Sequence, residues 1–154
     1  MKIAIGADNL AVGLKDELVD YLRTQSIVAV DVEDFGVFDE TPIDYPDIAE
    51  KVADAVARGE YDRGILICGT GIGMAIAANK VPGIRAAQCH DVYSAERARK
   101  SNNAQILTMG AMIVGPAVAK KIMDAWLPSE FAHGRSERKV NKIMAIEARH
   151  LKTR

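Results

Sequence analysis

The run Ile65-Leu66-Ile67-Cys68 limits the fold more than any other stretch of the chain. A strand with one wet face alternates apolar and polar residues. Four apolar residues in succession instead suit a strand buried on both faces, as inside a parallel sheet. Parallel neighbours cannot be joined by a tight hairpin. They need a crossover, usually a helix. A chain built around this run must therefore alternate strands with helices.

The rest of the sequence does so. Strands are expected at 2–7 ("KIAIGA"), 27–32 ("IVAVDV"), 63–68 ("RGILIC"), 84–89 ("IRAAQC") and 104–110 ("AQILTMG"). Between them, residues 10–25 carry Leu10, Leu14, Leu18, Val19 and Leu22 at helical spacing. Residues 44–60 read as a helix with Pro46 early and Gly59 as its stop. Further helices are expected at 71–80, at 91–102 behind Asp91 as cap, at 115–127 with Pro116 at its start, and at 136–150. The pattern predicts one α/β domain over 1–154, doubly wound and Rossmann-like, with a five-stranded parallel sheet and right-handed crossovers. The last helix is rich in Lys and Arg. It reads either as a face packed on a partner subunit or as a solvated face.

Composition removes several classes. The 20 Lys and Arg against 21 Asp and Glu leave a net charge of −1, with no clustered basic excess for nucleic acid or an anionic membrane. No apolar run reaches the roughly 18 residues of a membrane span. "MKIAIGADN" reads as a first strand and not as a signal peptide. Two cysteines make no disulfide framework in a chain this long, so a reducing cytoplasm is the expected setting.

Ligands of open parallel sheets bind beyond the carboxyl ends of the strands. That rule selects Asp8 and Asn9, the stretch from Cys68 to Gly73, His90 and Asp91, and Ser101 to Asn103. A thiol just ahead of a helix start faces exposed N–H groups that favour an anion, a setting for a base or nucleophile; a buried strand cysteine is the plain alternative. Gly69, Gly71 and Gly73 let the backbone approach a ligand and offer N–H groups to an oxyanion or phosphate. The dinucleotide fingerprint fails because Met74 stands where its third glycine belongs, and no Walker A pair follows. Asp8 is either a turn cap or a carboxylate for sugar hydroxyls. His90, His133 and His150 are scattered, without partners at metal-ligand spacing, so no metal is expected.

At "ILICGTGIGMAIAANKVPGIRAA" the chain resembles the type B ribose-5-phosphate isomerases and the related galactose-6-phosphate isomerase subunits. "KIAIGAD", "DYPDIA", "YSAERAR", "NNAQILTMGAMIVG" and "DAWL" extend the resemblance over nearly the whole length. It implies an aldose–ketose isomerisation of a phosphorylated sugar without cofactor. It makes Cys68 the base that moves a proton between C1 and C2 through a cis-enediolate. Thr70 and the N–H groups of Gly69, Gly71 and Gly73 stand by the enediolate oxygens, and Asp8 and Tyr45 line the sugar site. The resemblance also implies a homodimer with shared active sites, or a tetramer. Arg135 and Lys139 are then the candidates for the phosphate, with Arg138 as a substitute.

Four positions depart from the usual pattern of that family: Asn9 and Ser101 stand for histidines, Met112 for an arginine, and Lys139 for a second C-terminal arginine. The family's histidine at 101 is assigned to opening a furanose ring. A tetrose 4-phosphate has no free hydroxyl to close that ring. "SNNAQ", "HDVYSAERA" and "GRSERKVN" resemble the subgroup acting on D-erythrulose 4-phosphate. The expected substrate is a tetrulose 4-phosphate held by residues that include Asn9, Ser101 and Asn102, with His90 as a candidate acid–base group or a plain turn residue. Ribose 5-phosphate isomerisation, one half of a heteromeric galactose-6-phosphate isomerase, and a nucleotide-binding module stay open as alternatives.

Overall fold

Five parallel strands form one sheet in the order β2-β1-β3-β5-β4 in the computed structural model, which describes residues 1–151. Residues 152–154 of the expected domain lie outside the described residues. The strands are β1 (Lys2–Ala7), β2 (Asp31–Asp34), β3 (Arg63–Cys68), β4 (Ala86–Gln88) and β5 (Ile106–Gly110). The helices are α1 (Val12–Thr24), α2 (Tyr45–Ala57), α3 (Ile72–Ala78), α4 (Val92–Lys100), α5 (Pro116–Trp126) and α6 (Arg135–Leu151).

The apolar run of β3 is buried at every position, as its composition requires. Ile65 and Ile67 face one core with α1, α4 and α5; Leu66 and Cys68 face a second core with α2 and α3. Helices thus cover both faces, the doubly wound arrangement. β1, β3 and β5 end side by side, with Ala7 opposite Ile67 and Cys68 opposite Gly110. Their three carboxyl ends meet in the middle of the sheet.

Local chemistry accounts for the boundaries. Asp91 caps α4 by accepting the Ser94 N–H at 2.7 Å. α3 ends two residues before the expected Lys80: the Asn79 amide donates to the carbonyls of Ala75 and Ala86 and accepts the Ala86 N–H. β4 is shorter than expected, because the Ile84 N–H returns to Val81 and the Arg85 N–H goes to the Gln105 side chain.

The second strand is displaced from the expected 27–32 to Asp31–Asp34. The Gln25 side chain accepts the N–H groups of Ile27 and Val28 and donates to the Val28 carbonyl, folding 25–28 into a turn. Pairing with β1 then begins at Asp31 opposite Lys2. The valines that suggested a strand, Val28 and Val30, pack on the margin of the first core.

Candidate active site

Beyond the ends of β1 and β3 lies an open depression of about 500 Å³. Its polar lining comes from Asp8, Tyr45, Cys68 and Thr70, with the backbone of Gly69 and Gly73 between them. Leu10, Ile72, Ile76 and Met112 form an apolar border. Cys68 and Thr70, the expected catalytic pair, and four of the expected substrate-binding residues, Asp8, Tyr45, Gly69 and Gly73, are brought together here.

Cys68 ends β3 with 5% of its surface exposed. Its Sγ accepts the Gly71 N–H at 3.0 Å. That amide was expected beside a ligand oxygen; it stands instead at the sulfur. Gly71 has φ +77°, and a Cβ there would meet the Met109 backbone at 2.7 Å, so the turn needs glycine twice over. The turn is fastened to its neighbours. The Gln88 amide donates to the Thr70 carbonyl at 2.7 Å, the Thr108 hydroxyl to the Gly71 carbonyl at 2.8 Å, and the Met112 N–H to the Gly69 carbonyl at 3.1 Å.

Asp8 is nearly out of solvent at the end of β1, and its Oδ1 accepts the Leu10 N–H at 3.0 Å. Burial pushes its carboxyl above the ordinary value, while the amides of Leu10 and Ala11 pull the other way. Tyr45 opens α2 and lays its ring over Gly73. A Cβ at Gly73 would lie 2.5 Å from that ring.

The remaining expected residues lie elsewhere. Asn9 follows Asp8, but its Oδ1 faces the Ile43 N–H at 3.4 Å. Ser101 ends α4, where its hydroxyl accepts from the Arg97 guanidinium; Asn102 beside it is exposed. His90 follows β4, and its Nε2 accepts the Gly110 N–H at 2.9 Å. Arg135 and Lys139 line a separate polar depression of about 380 Å³ with Ser136 and Arg138 at the start of α6. The sequence reading missed the apolar border. Ile72 and Ile76 are spaced four apart, as one helix face requires, and both are exposed.

A thiol, a carboxylate and a glycine turn converging beyond a parallel sheet define an α/β protein with a small-ligand cleft at the strand ends. Residues 3–143 match the model of the ribose/galactose isomerase family. The chain is 55% identical to ribose-5-P isomerase B of Listeria innocua, covering 97% of this chain and 99% of that one. It is 54% identical to D-erythrulose-4-phosphate isomerase of Pectobacterium atrosepticum, covering 93% of each. The structure of ribose-5-phosphate isomerase B from Clostridium thermocellum superposes with a TM-score of 0.93 at 49% identity, covering 97% and 99% of the two chains. The chain belongs to the ribose/galactose isomerase family and is a sugar-phosphate isomerase.

Proposed function

We propose that the chain interconverts a tetrulose 4-phosphate, D-erythrulose 4-phosphate, and its aldose by proton transfer between C1 and C2, with Cys68 as base. The observation that carries the chemistry is the Cys68 sulfur on the floor of the strand-end depression, 3.0 Å from the Gly71 N–H. In this reading the thiolate takes a proton from the carbon beside the carbonyl and returns it to the neighbouring carbon, while the hydroxyl proton passes from one enediolate oxygen to the other. The Thr70 hydroxyl and the amides of Gly69 and Gly73 lie beside the two enediolate oxygens. A positioned base contributes on the order of 10²–10⁴-fold, and each preorganised donor about 2.7–4 kcal/mol. Asp8 and Tyr45 hold the sugar hydroxyls. Arg135 and Lys139, supplied by a second copy of the chain, hold the phosphate and orient the reacting carbons.

The choice of a four-carbon substrate rests on Asn9 and Ser101. Neither side chain exchanges protons near neutral pH, and Ser101 is already engaged by Arg97. In this reading Asn9 borders the site next to Asp8 and Ser101 is brought to it by the second copy, and a site without an acid–base group at either position suits a substrate that stays open. Ribose 5-phosphate is the second reading, favoured by the likeness to the Listeria innocua enzyme.

Steady-state turnover of a substrate panel by the purified chain tests both. The tetrulose 4-phosphate is expected to exceed ribose 5-phosphate by about tenfold or more in kcat/KM, a difference of about 1.4 kcal/mol. Cys68→Ala is expected to lose on the order of 10³-fold in kcat. Equal or faster turnover of ribose 5-phosphate rejects the substrate assignment. Activity only with an added paralogue rejects the self-sufficient enzyme.

A further inference from the structure

The turn that carries Cys68 rests on residues outside the lining of the strand-end depression. β4 is the edge strand, and its ladder with β5 runs from Ala86 opposite Ile106 to Gln88 opposite Thr108. One more rung joins the Cys89 N–H to the Thr108 carbonyl at 3.0 Å. Continuing the parallel ladder would carry the Gly110 N–H to a carbonyl of this edge strand. It goes instead to the imidazole of His90, 2.9 Å away at Nε2.

Gly110 is the residue on which the glycine turn sits. A Cβ there would meet the Thr70 Cα at 2.6 Å and the Gly69 carbonyl oxygen at 2.7 Å. The next two amides, of Ala111 and Met112, donate to the carbonyls of Cys68 and Gly69. Any shift of Gly110 therefore moves the sulfur-bearing residue and the amides beyond it together. A hydrogen-bond acceptor at the His90 Nε2 position keeps this support in place.

We infer that His90 is a positioning residue for the isomerase site, holding Gly110 and through it the 68–71 turn, and not an acid–base group. The inference rests on the proposal that this turn carries the chemistry. Because Gly110 donates, Nε2 must be the unprotonated nitrogen, which leaves the ring proton on Nδ1. A nitrogen committed to a backbone N–H has no lone pair for a substrate proton. His90 also does not line the depression, whereas Cys68 does. Gln88 and Thr108 support the same turn through its carbonyls, so three side chains of β4, its end and β5 brace one loop.

The test combines kinetics with nitrogen-15 NMR of the imidazole in the full chain. His90→Ala is expected to lower kcat by about 10²-fold with KM changed by less than about threefold, the effect of a small misplacement at the reacting centre. His90→Gln places an amide oxygen near the Nε2 position and is expected to bring kcat back to within about threefold of wild type. The NMR spectrum is expected to show an unprotonated Nε2 and a protonated Nδ1. If His90→Gln folds but is as inactive as His90→Ala, proton transfer is its role and the inference is wrong. Wild-type kcat in His90→Ala, or a protonated Nε2, also overturns it. Should His90→Ala fail to fold, the His90→Gln kinetics and the spectrum still decide. Cys68→Ala is measured alongside: an active Cys68→Ala defeats the reading of the turn itself, while the NMR result stands independently of turnover.

Discussion

Asp8 is the buried acid of the strand-end depression, and its surroundings work against its charge. Burial raises its carboxyl from the ordinary 3.8, only partly opposed by the Leu10 and Ala11 amides. The folded chain thus holds this proton more tightly than the unfolded chain. As pH rises through the window above 3.8, the native state binds more protons than the unfolded state, so stability declines. At neutral pH the ionised Asp8 costs stability. An asparagine keeps an oxygen for the Leu10 N–H and carries no charge. Asp8→Asn is therefore expected to raise Tm at pH 7, with the gain shrinking as pH falls into the carboxylate range. The same change is expected to lower kcat/KM by about 10–100-fold, the worth of a charge-assisted hydrogen bond to a substrate hydroxyl. Thermal melts at several pH values check the first expectation. A Tm that falls at pH 7 contradicts it.

At the scale of elements, the site depends on how α2 and α3 meet over the end of β3. The Tyr45 ring at the start of α2 occupies the space a side chain at position 73 would need. Gly73→Ala must displace the ring, which is free to move because Tyr45 is 41% exposed. Alanine also favours the helix by about 0.8–1 kcal/mol over glycine. Little change in the urea midpoint is expected, together with about a tenfold rise in KM as the tyrosine leaves the substrate's side. Unchanged KM would remove Tyr45 from the binding site. The element pattern was legible in the sequence where periodicity decides it: β3 is continuous apolar, and α2 starts with Pro46 near its first turn. It was misread at β2, where one side chain, Gln25, folds two strand-like residues into a turn. The thiol and its glycine turn were legible because they are neighbours in sequence. The braces from Gln88, His90 and Thr108 were not, since each reaches a partner 18 to 37 residues away through strand order. No local pattern encodes that order.

For the whole molecule, the decisive fact is where α6 begins. Its root is fixed to the body. The Arg63 guanidinium donates to the carbonyls of Trp126, Leu127 and Ser129 and pairs with Glu130, which also faces Arg99. The Ala132 N–H adds a bond to the Lys100 carbonyl. From this fixed root α6 presents Arg135 and Lys139 in a depression separate from Cys68. Val140 is its one buried residue among those described, while Ile143 and Ile146 remain exposed. An uncovered apolar face beside unused cations suits a symmetric pair in which each α6 serves the other copy's site. Complementation tests this. Cys68→Ala and Arg135→Ala chains are each expected to be nearly inactive alone. In a mixed dimer, the site that joins the intact Cys68 of one chain to the intact Arg135 of the other is whole, and the second site carries both lesions. Random exchange makes half of all dimers mixed, each with one of two sites working, so unfolding and refolding an equal mixture is expected to recover roughly a quarter of wild-type activity. If each chain used its own Arg135, no dimer would contain a whole site and the mixture would stay as inactive as its parts.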